Sequence, residues 1–293
     1  MQPGQASRTA LGAAGHRAVH QVLERGFIFA DPLALRILGA DADEALAEAE
    51  REPGRRGLRL FIAVRTRFAE DALAAAIARG ASQLVVLGAG LDTYAYRADL
   101  GDRLRVFEVD HPATQAWKRE RLASASIAIP DALTFAPVDF EREGLAEGLA
   151  AAGFDPARRS FFTWLGVTPY LSEEAVFATL GFIAGLPGGA EVVFDYTNPP
   201  ESIADPARRA HHEALAARVA AAGEVFKSNF DTPALHAKLA ALGFGEIEDL
   251  GWAEIAARYF PGRTSGGSGG GPHVLRARTG GRAYRILPVC PSE

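Results

Sequence analysis

The sequence predicts an α/β protein built on a doubly wound, mostly parallel sheet with helices ahead of it. Five short runs rich in β-branched and aromatic residues, at 83–87, 104–109, 133–138, 160–165 and 190–195, read as strands. Segments of helical period at 111–124, 141–152 and 172–184 separate them, the alternation that βα units and a parallel sheet require. The first run stops at Gly88-Ala89-Gly90 and the second at Glu108-Val109-Asp110, so two neighbouring strands present a Gly-rich turn and an acidic group at their carboxyl ends.

In chain order, residues 8–79 read as helices. Ala18, Val19, Val22 and Leu23 recur at helical spacing, Asp31-Pro32 pairs an N-cap with proline at the first helical position, and 58–79 is long and amphipathic. We expect 1–80 to form an N-terminal helical lid and 81–293 to form the α/β domain. After Asp195, Tyr196-Thr197-Asn198-Pro199-Pro200 breaks the strand pattern. Alanine-rich helices near 205–222 and 232–242 then read as a substrate cap, about 200–242, within the same compact unit. Ser265 to Gly271 reads as a Gly-rich loop, and the apolar stretches at 244–250 and 283–290 on either side of it suggest a closing antiparallel pair.

The chain has 293 residues and 48% hydrophobic content, enough for a sizeable core. A net charge of −5 argues against a broad attraction to nucleic acid or to an anionic membrane, and no apolar run reaches membrane-spanning length. The lone cysteine, Cys290, allows neither an internal disulfide nor a thiolate metal cluster, and Met1 to Ser7 lacks the apolar stretch of a signal peptide. A cytoplasmic protein acting on a small molecule is the expectation. The metal-hydrolase, P-loop and nucleophile-elbow patterns are missing, because Gly266-Gly267-Ser268-Gly269-Gly270 lies in a low-complexity loop and not in a strand–turn–helix.

A dinucleotide-binding turn needs a third glycine where helix and strand close over a pyrophosphate, and Thr93 stands there instead. Asp92 follows Gly88-x-Gly90; a carboxylate repels phosphate and attracts an ammonium. S-adenosylmethionine carries that ammonium and no phosphate, so charge favours it over NAD as the cofactor, against the alternative that Gly88 and Gly90 only make a tight turn. An acidic group ending the second strand can accept both hydrogens of a ribose diol. Glu108 and Asp110 share parity, and Asp110 is nearer the strand end; its competing role is to cap the helix that opens at His111-Pro112. At the end of the third strand Asp139 suits the exocyclic amine of adenine and Phe140 its ring, while Asp139 also fits as the N-cap of helix 141–152.

Four stretches resemble a bacterial family of candidate S-adenosylmethionine-dependent methyltransferases related to leucine carboxyl methyltransferases and to some polyketide O-methyltransferases. They are Arg65-Thr66-Arg67-Phe68, the block from Leu87 through Gly88-Ala89-Gly90-Leu91-Asp92-Thr93 to Arg97, Phe107-Glu108-Val109-Asp110-His111-Pro112, and Trp164 to Leu171; Asp31-Pro32-Leu33-Ala34 matches as well. The resemblance runs from about Thr9 to Asp195. It implies a Rossmann-like class I methyltransferase fold with a seven-stranded sheet. It also implies Arg65 for the methionine carboxylate, Gly88 and Gly90 for the turn, Asp110 for ribose, and Asp139 with Phe140 for adenine. One departure stands out: leucine carboxyl methyltransferases carry a glutamate in the fourth-strand segment, where this chain reads Trp164-Leu165-Gly166.

The expected activity is methyl transfer to an oxygen, carboxylate or hydroxyl, of a small-molecule acceptor, with no metal. An NAD(P)-dependent oxidoreductase and a catalytically inactive binding protein of the same fold are the rivals. A carboxylate acceptor is ionised at neutral pH and needs no base, whereas a hydroxyl does. His111, His211, His212 and His236 have no partner spacing that singles one out. Tyr96, Tyr170 and Tyr196, with Asp195 and Asn198, fall near strand ends where an acceptor would lie.

Overall fold

The computed structural model describes residues 8–101, 103–138, 144–221, 225–262, 270–280 and 285–286. The chain forms two compact units, Met1–Asp155 and Pro156–Glu293.

The first unit opens with α1 (Arg8–Leu23), α2 (Ala34–Leu38), α3 (Asp41–Arg51) and α4 (Arg56–Ala78). Ala14 and Ala18 of α1 pack with Leu33, Ala34, Ile37 and Leu38 in a core that also takes in Leu91 from the Gly-rich turn. The helices ahead of the sheet are therefore fastened to the turn by apolar burial. Arg59 of α4 is buried because its guanidinium grips Glu24 twice, Nε to Oε2 at 2.8 Å and Nη2 to Oε1 at 2.7 Å. β1 (Gln83–Leu87) is followed by α5 (Tyr94–Arg97), β2 (Arg105–Asp110), α6 (Pro112–Ser124), β3 (Leu133–Pro137) and α7 (Leu145–Ala151). The strands lie in the order β3-β2-β1, all parallel, with Leu87 opposite Val109 and Asp110 opposite Pro137. Every residue of β1 is buried, as are Val106–Val109 of β2, which is why these strands read as continuous apolar runs.

The second unit contains β4 (Ser160–Trp164), α8 (Glu173–Ala184), β5 (Ala190–Thr197), α9 (Pro206–Ala221), α10 (Thr232–Leu242), β6 (Phe244–Leu250), α11 (Trp252–Tyr259), β7 (Pro272–Thr279) and β8 (Arg285–Ile286). Its strand order is β4-β5-β7-β6-β8; β4 and β5 are parallel, and β7 runs antiparallel to both β5 and β6. The closing antiparallel strand is thus 272–279 and not 283–290, of which only Arg285 and Ile286 are described, paired parallel to β6. β7 hides from a hydrophobicity reading because Arg276 and Arg278 alternate with its apolar residues. Both face acidic partners across the ladder, Glu248 opposite Arg276 and Glu246 opposite Arg278, and form ion pairs with them.

Parallel strands with flanking helices in each unit give the mostly parallel α/β pattern that the sequence predicts, β8 being a two-residue addition. Among the described residues no helix is long and apolar enough to cross a membrane.

Candidate functional site

The carboxyl ends of β1 and β2 converge on one carboxylate. β1 ends at Leu87, and the chain then turns through Gly88 at φ 65° and Gly90 at φ 43°, left-handed conformations that a side chain disfavours. The amides of Gly88 and Ala89 both donate to the Val109 carbonyl, at 2.9 and 3.1 Å. The Gly90 amide donates to Asp110 Oδ2 at 2.6 Å. The Asp92 amide donates to the Ala89 carbonyl at 2.7 Å, and Asp92 Oδ1 accepts from the Tyr94 amide at 2.9 Å, which starts α5. The amides of Gly88, Ala89, Gly90, Asp92 and Tyr94 are thereby satisfied, the first three by the end of β2 and the last two within the turn. A pyrophosphate-binding turn needs such donors free. Here they are spent, and carboxylates stand where phosphate charge would go.

Asp110 holds the turn from the β2 side. Its second oxygen, Oδ1, accepts from the His111 amide at 2.7 Å. Burial pushes its carboxyl above the ordinary range, and the two amide donors from Gly90 and His111 oppose that rise. The competing role for Asp110, capping α6, belongs instead to His111, whose Nδ1 accepts from the Ala113 amide at 3.2 Å. Two amide bonds leave a carboxylate with acceptor capacity to spare.

Thr93 explains itself once the fold is known. Its hydroxyl donates to Asp31 Oδ2 at 2.7 Å, and Asp31 is 3% exposed, with its other oxygen accepting from the Leu33 amide. Arg97 Nε reaches back to the Thr93 hydroxyl at 3.2 Å while its guanidinium binds Glu70 of α4. Arg17 of α1 donates to the Leu91 carbonyl at 2.5 Å. The position that is glycine in a dinucleotide turn is here a tether between the turn and the amino-terminal helices. Asp31 and Thr93 both sit in stretches that carry the family resemblance, and that shared membership was the available signal.

Arg65 sits in the middle of α4, 9% exposed, its guanidinium carbon 6.0 Å from the centre of the Phe61 ring. It is a buried arginine and not part of a solvated charged face, unlike Arg67, which pairs with Asp71 at the surface. Asp139 and Phe140 lie outside the described residues. Tyr96, expected as a substrate contact, donates its hydroxyl to Glu108 Oε2 at 3.0 Å, and burial and then Glu108 raise its pKa, so it stays a protonated donor.

In the second unit Tyr196 is 2% exposed and its hydroxyl donates to Asp249 Oδ2 at 2.6 Å. Asp249 also accepts from His236 Nε2 at 2.7 Å and His273 Nδ1 at 2.9 Å, and these hydrogen bonds outweigh its burial, bringing its pKa down to about 2. Of the histidines considered, His111 and His236 are thus engaged in caps or buried bonds; the side chains of His211 and His212 are not described. Tyr170 is half-buried, its ring 5.4 Å from that of Phe226. At the end of β4, where the chain reads Trp164-Leu165-Gly166, Asp195 Oδ1 of β5 accepts from the Gly166 amide at 2.6 Å. Because β4 and β5 pair with Trp164 opposite Phe194, a carboxylate one residue beyond Phe194 reaches the end of β4. Among the described residues no group of three or more histidine, cysteine or acidic side chains could hold a metal ion.

The sequence model of the leucine carboxyl methyltransferase family matches residues 10–184, from α1 through the end of α8. YktD of Bacillus subtilis (strain 168), named as a candidate S-adenosyl-L-methionine-dependent methyltransferase, is 35% identical over 202 residues, covering 68% of this chain and 66% of that protein. A protein of Frankia alni named in the same way is 36% identical over 193 residues, 64% of this chain and 66% of its own. The match therefore spans just under two thirds of these relatives. Among solved structures, a candidate methyltransferase of Thermobifida fusca YX shares the fold, with a TM-score of 0.56 and 18% identity over 95% of this chain and 96% of that one.

Proposed function

The chain belongs to the leucine carboxyl methyltransferase family, and from that premise we propose that it is an S-adenosylmethionine-dependent methyltransferase that methylates an oxygen, carboxylate or hydroxyl, of a small-molecule acceptor. The observation that carries the cofactor assignment is the turn after β1, whose Gly88, Ala89 and Gly90 amides are all engaged and which is flanked by Asp92 and Asp110. A nucleoside with an ammonium group and no phosphate suits that surface, and a dinucleotide does not.

The bound cofactor supplies a methyl group already activated on a sulfonium. The protein's part is to hold, orient and exclude water. Asp110 accepts from the ribose diol with the lone pairs its two amide partners leave over. Asp92 sets negative charge beside the turn for the ammonium. Buried Arg65 is assigned to the methionine carboxylate, a bidentate match for a guanidinium. Asp139 and Phe140 retain the adenine role by position in the sequence. On the acceptor side Tyr170, Tyr96 and Tyr196 are the candidates, the hydroxyls of the last two being already bonded to Glu108 and Asp249. A carboxylate acceptor agrees with the absence of a histidine poised as base among the described side chains.

Calorimetric titration of the full chain with S-adenosylmethionine, S-adenosylhomocysteine and NADH tests the reading. Micromolar binding of the first two without the third supports it. Binding of NADH alone points to the oxidoreductase. Failure of all three on folded protein leaves a binding protein of methyltransferase fold.

A further inference from the structure

Two residues before Asp110 the same face of β2 carries Glu108, which is 0% exposed. A fully buried carboxylate at that place demands a partner. The partner is Lys118 of α6, itself 1% exposed, with Nζ 2.7 Å from Glu108 Oε2, a buried ion pair. The Tyr96 hydroxyl from α5 donates to the same oxygen at 3.0 Å, and the Lys118 ammonium lies 5.1 Å from the centre of the Tyr96 ring. Gln115 of α6 donates to the Glu108 carbonyl at 2.8 Å. Oε1 has no hydrogen-bond partner among the described residues. One carboxylate thus gathers the helix after the Gly-rich turn and the helix after Asp110 onto the strand between them.

The charges around this hub are unequal. Asp92 repels Glu108, while the Lys118 ammonium attracts both Glu108 and Asp110. The in-register neighbours of Glu108 on β1 and β3 are Val86 and Phe135, which carry no charge. Arg119 of α6 acts on Tyr96 and lies over Phe135, and His111 sits beside Asp110. Lys118 is the one cation in direct contact with the buried carboxylate among the described residues.

We propose that Lys118 is a positioning residue of the cofactor site: as counter-ion to Glu108 it leaves the net negative charge at the end of β2 on Asp110, and through the Glu108–Tyr96 bond it holds α5 and the Gly-rich turn against β2. The proposal rests on the cofactor reading above. Without the ammonium, the burial that already lifts Glu108 to about 7 loses its main opposition, so Glu108 holds its proton further above neutral pH and, once ionised, competes with Asp110 as a like charge at one strand end.

The test compares wild type, K118M, K118R and K118M/E108Q by titration with S-adenosylhomocysteine at pH 6, 7.5 and 9. K118M is expected to weaken binding progressively as pH rises, by about 10-fold or more at pH 9, where Glu108 ionises without its counter-ion, and little at pH 6, where it is protonated. K118R keeps the charge and stays closer to wild type. K118M/E108Q, with carboxylate and ammonium both gone, returns to within about threefold at every pH. A purely structural lysine would lower thermal stability and leave the pH profile of the affinity unmoved; that result, or no rescue by E108Q, overturns the proposal. If K118M does not fold, rescue of folding by E108Q supports it and failure of rescue refutes it. If wild type itself does not bind, the cofactor reading fails separately, and urea unfolding of the ligand-free proteins decides: K118M should lose midpoint more steeply than wild type from pH 5 to 8, and the double variant should not. Equal slopes overturn the proposal.

Discussion

Replacing Asp110 with alanine removes two charge-assisted bonds at once, to the Gly90 amide at 2.6 Å and to the His111 amide at 2.7 Å. Bonds of this kind contribute about 1.5–3 kcal/mol each. The carboxylate's own burial cost, visible in its raised pKa, offsets part of that. We expect ligand-free D110A to lose about 2 kcal/mol of stability, a midpoint shift readable in thermal or urea unfolding. Affinity for S-adenosylhomocysteine should fall separately, by roughly 10- to 100-fold, the scale of a lost charged acceptor for two ribose hydroxyls. D110N is the sharper variant. An asparagine offers one accepting oxygen where the structure needs two, so whichever amide meets its NH2 group is left unpaired, and D110N should resemble D110A and not wild type. Calorimetry at fixed pH and salt reads the affinity, and unfolding of the free protein reads the structural share. Binding by D110A within twofold of wild type would refute the ribose role, and a D110N as stable as wild type would refute the two-amide clamp.

Three other outcomes follow from the same geometry. Gly90→Ala puts a Cβ at φ 43° and 2.9 Å from Ala10 Cβ of α1, so it should cost about 1–2 kcal/mol from the backbone alone. Adding Ala10→Gly should recover the steric share and not the backbone share, as read by unfolding. Thr93→Val deletes the bond to buried Asp31 and should cost about 1–3 kcal/mol, whereas Thr93→Ser keeps the hydroxyl and should stay near wild type; equal losses would show that the tether contributes nothing. Asp249, held at about 2 by His236, His273 and Tyr196, has a folded pKa below its ordinary 3.8, so its contribution is present above pH 3.8 and is lost as pH falls through 2. Stability should therefore drop by about 2 kcal/mol between roughly pH 4 and pH 2 for this group. Asp249→Asn should flatten that part of the curve, and an unchanged slope would contradict the assignment.

What the sequence by itself determined is what local periodicity and turn chemistry can carry. The continuous apolar runs of β1, β2, β4 and β5 announced strands buried on both faces, and Gly88-x-Gly90 with Asp92 and Asp110 announced a turn and an acid at adjoining strand ends. β7 escaped because its burial depends on ion pairs with another strand, and no window along one strand contains its partner. The tertiary structure alone decided which polar groups were already engaged. Tyr96 and Tyr196 looked like acceptor contacts by position, yet the hydroxyl of each is bound to a buried carboxylate 12 and 53 residues away. Thr93 looked like a missing glycine until Asp31, 62 residues earlier, was found against its hydroxyl. Asp195 reaches the end of β4 only because two strands pair in register. A side chain's chemistry is written in the sequence, but whether it is free to act depends on desolvation and on partners far along the chain, and those exist only once the chain has folded.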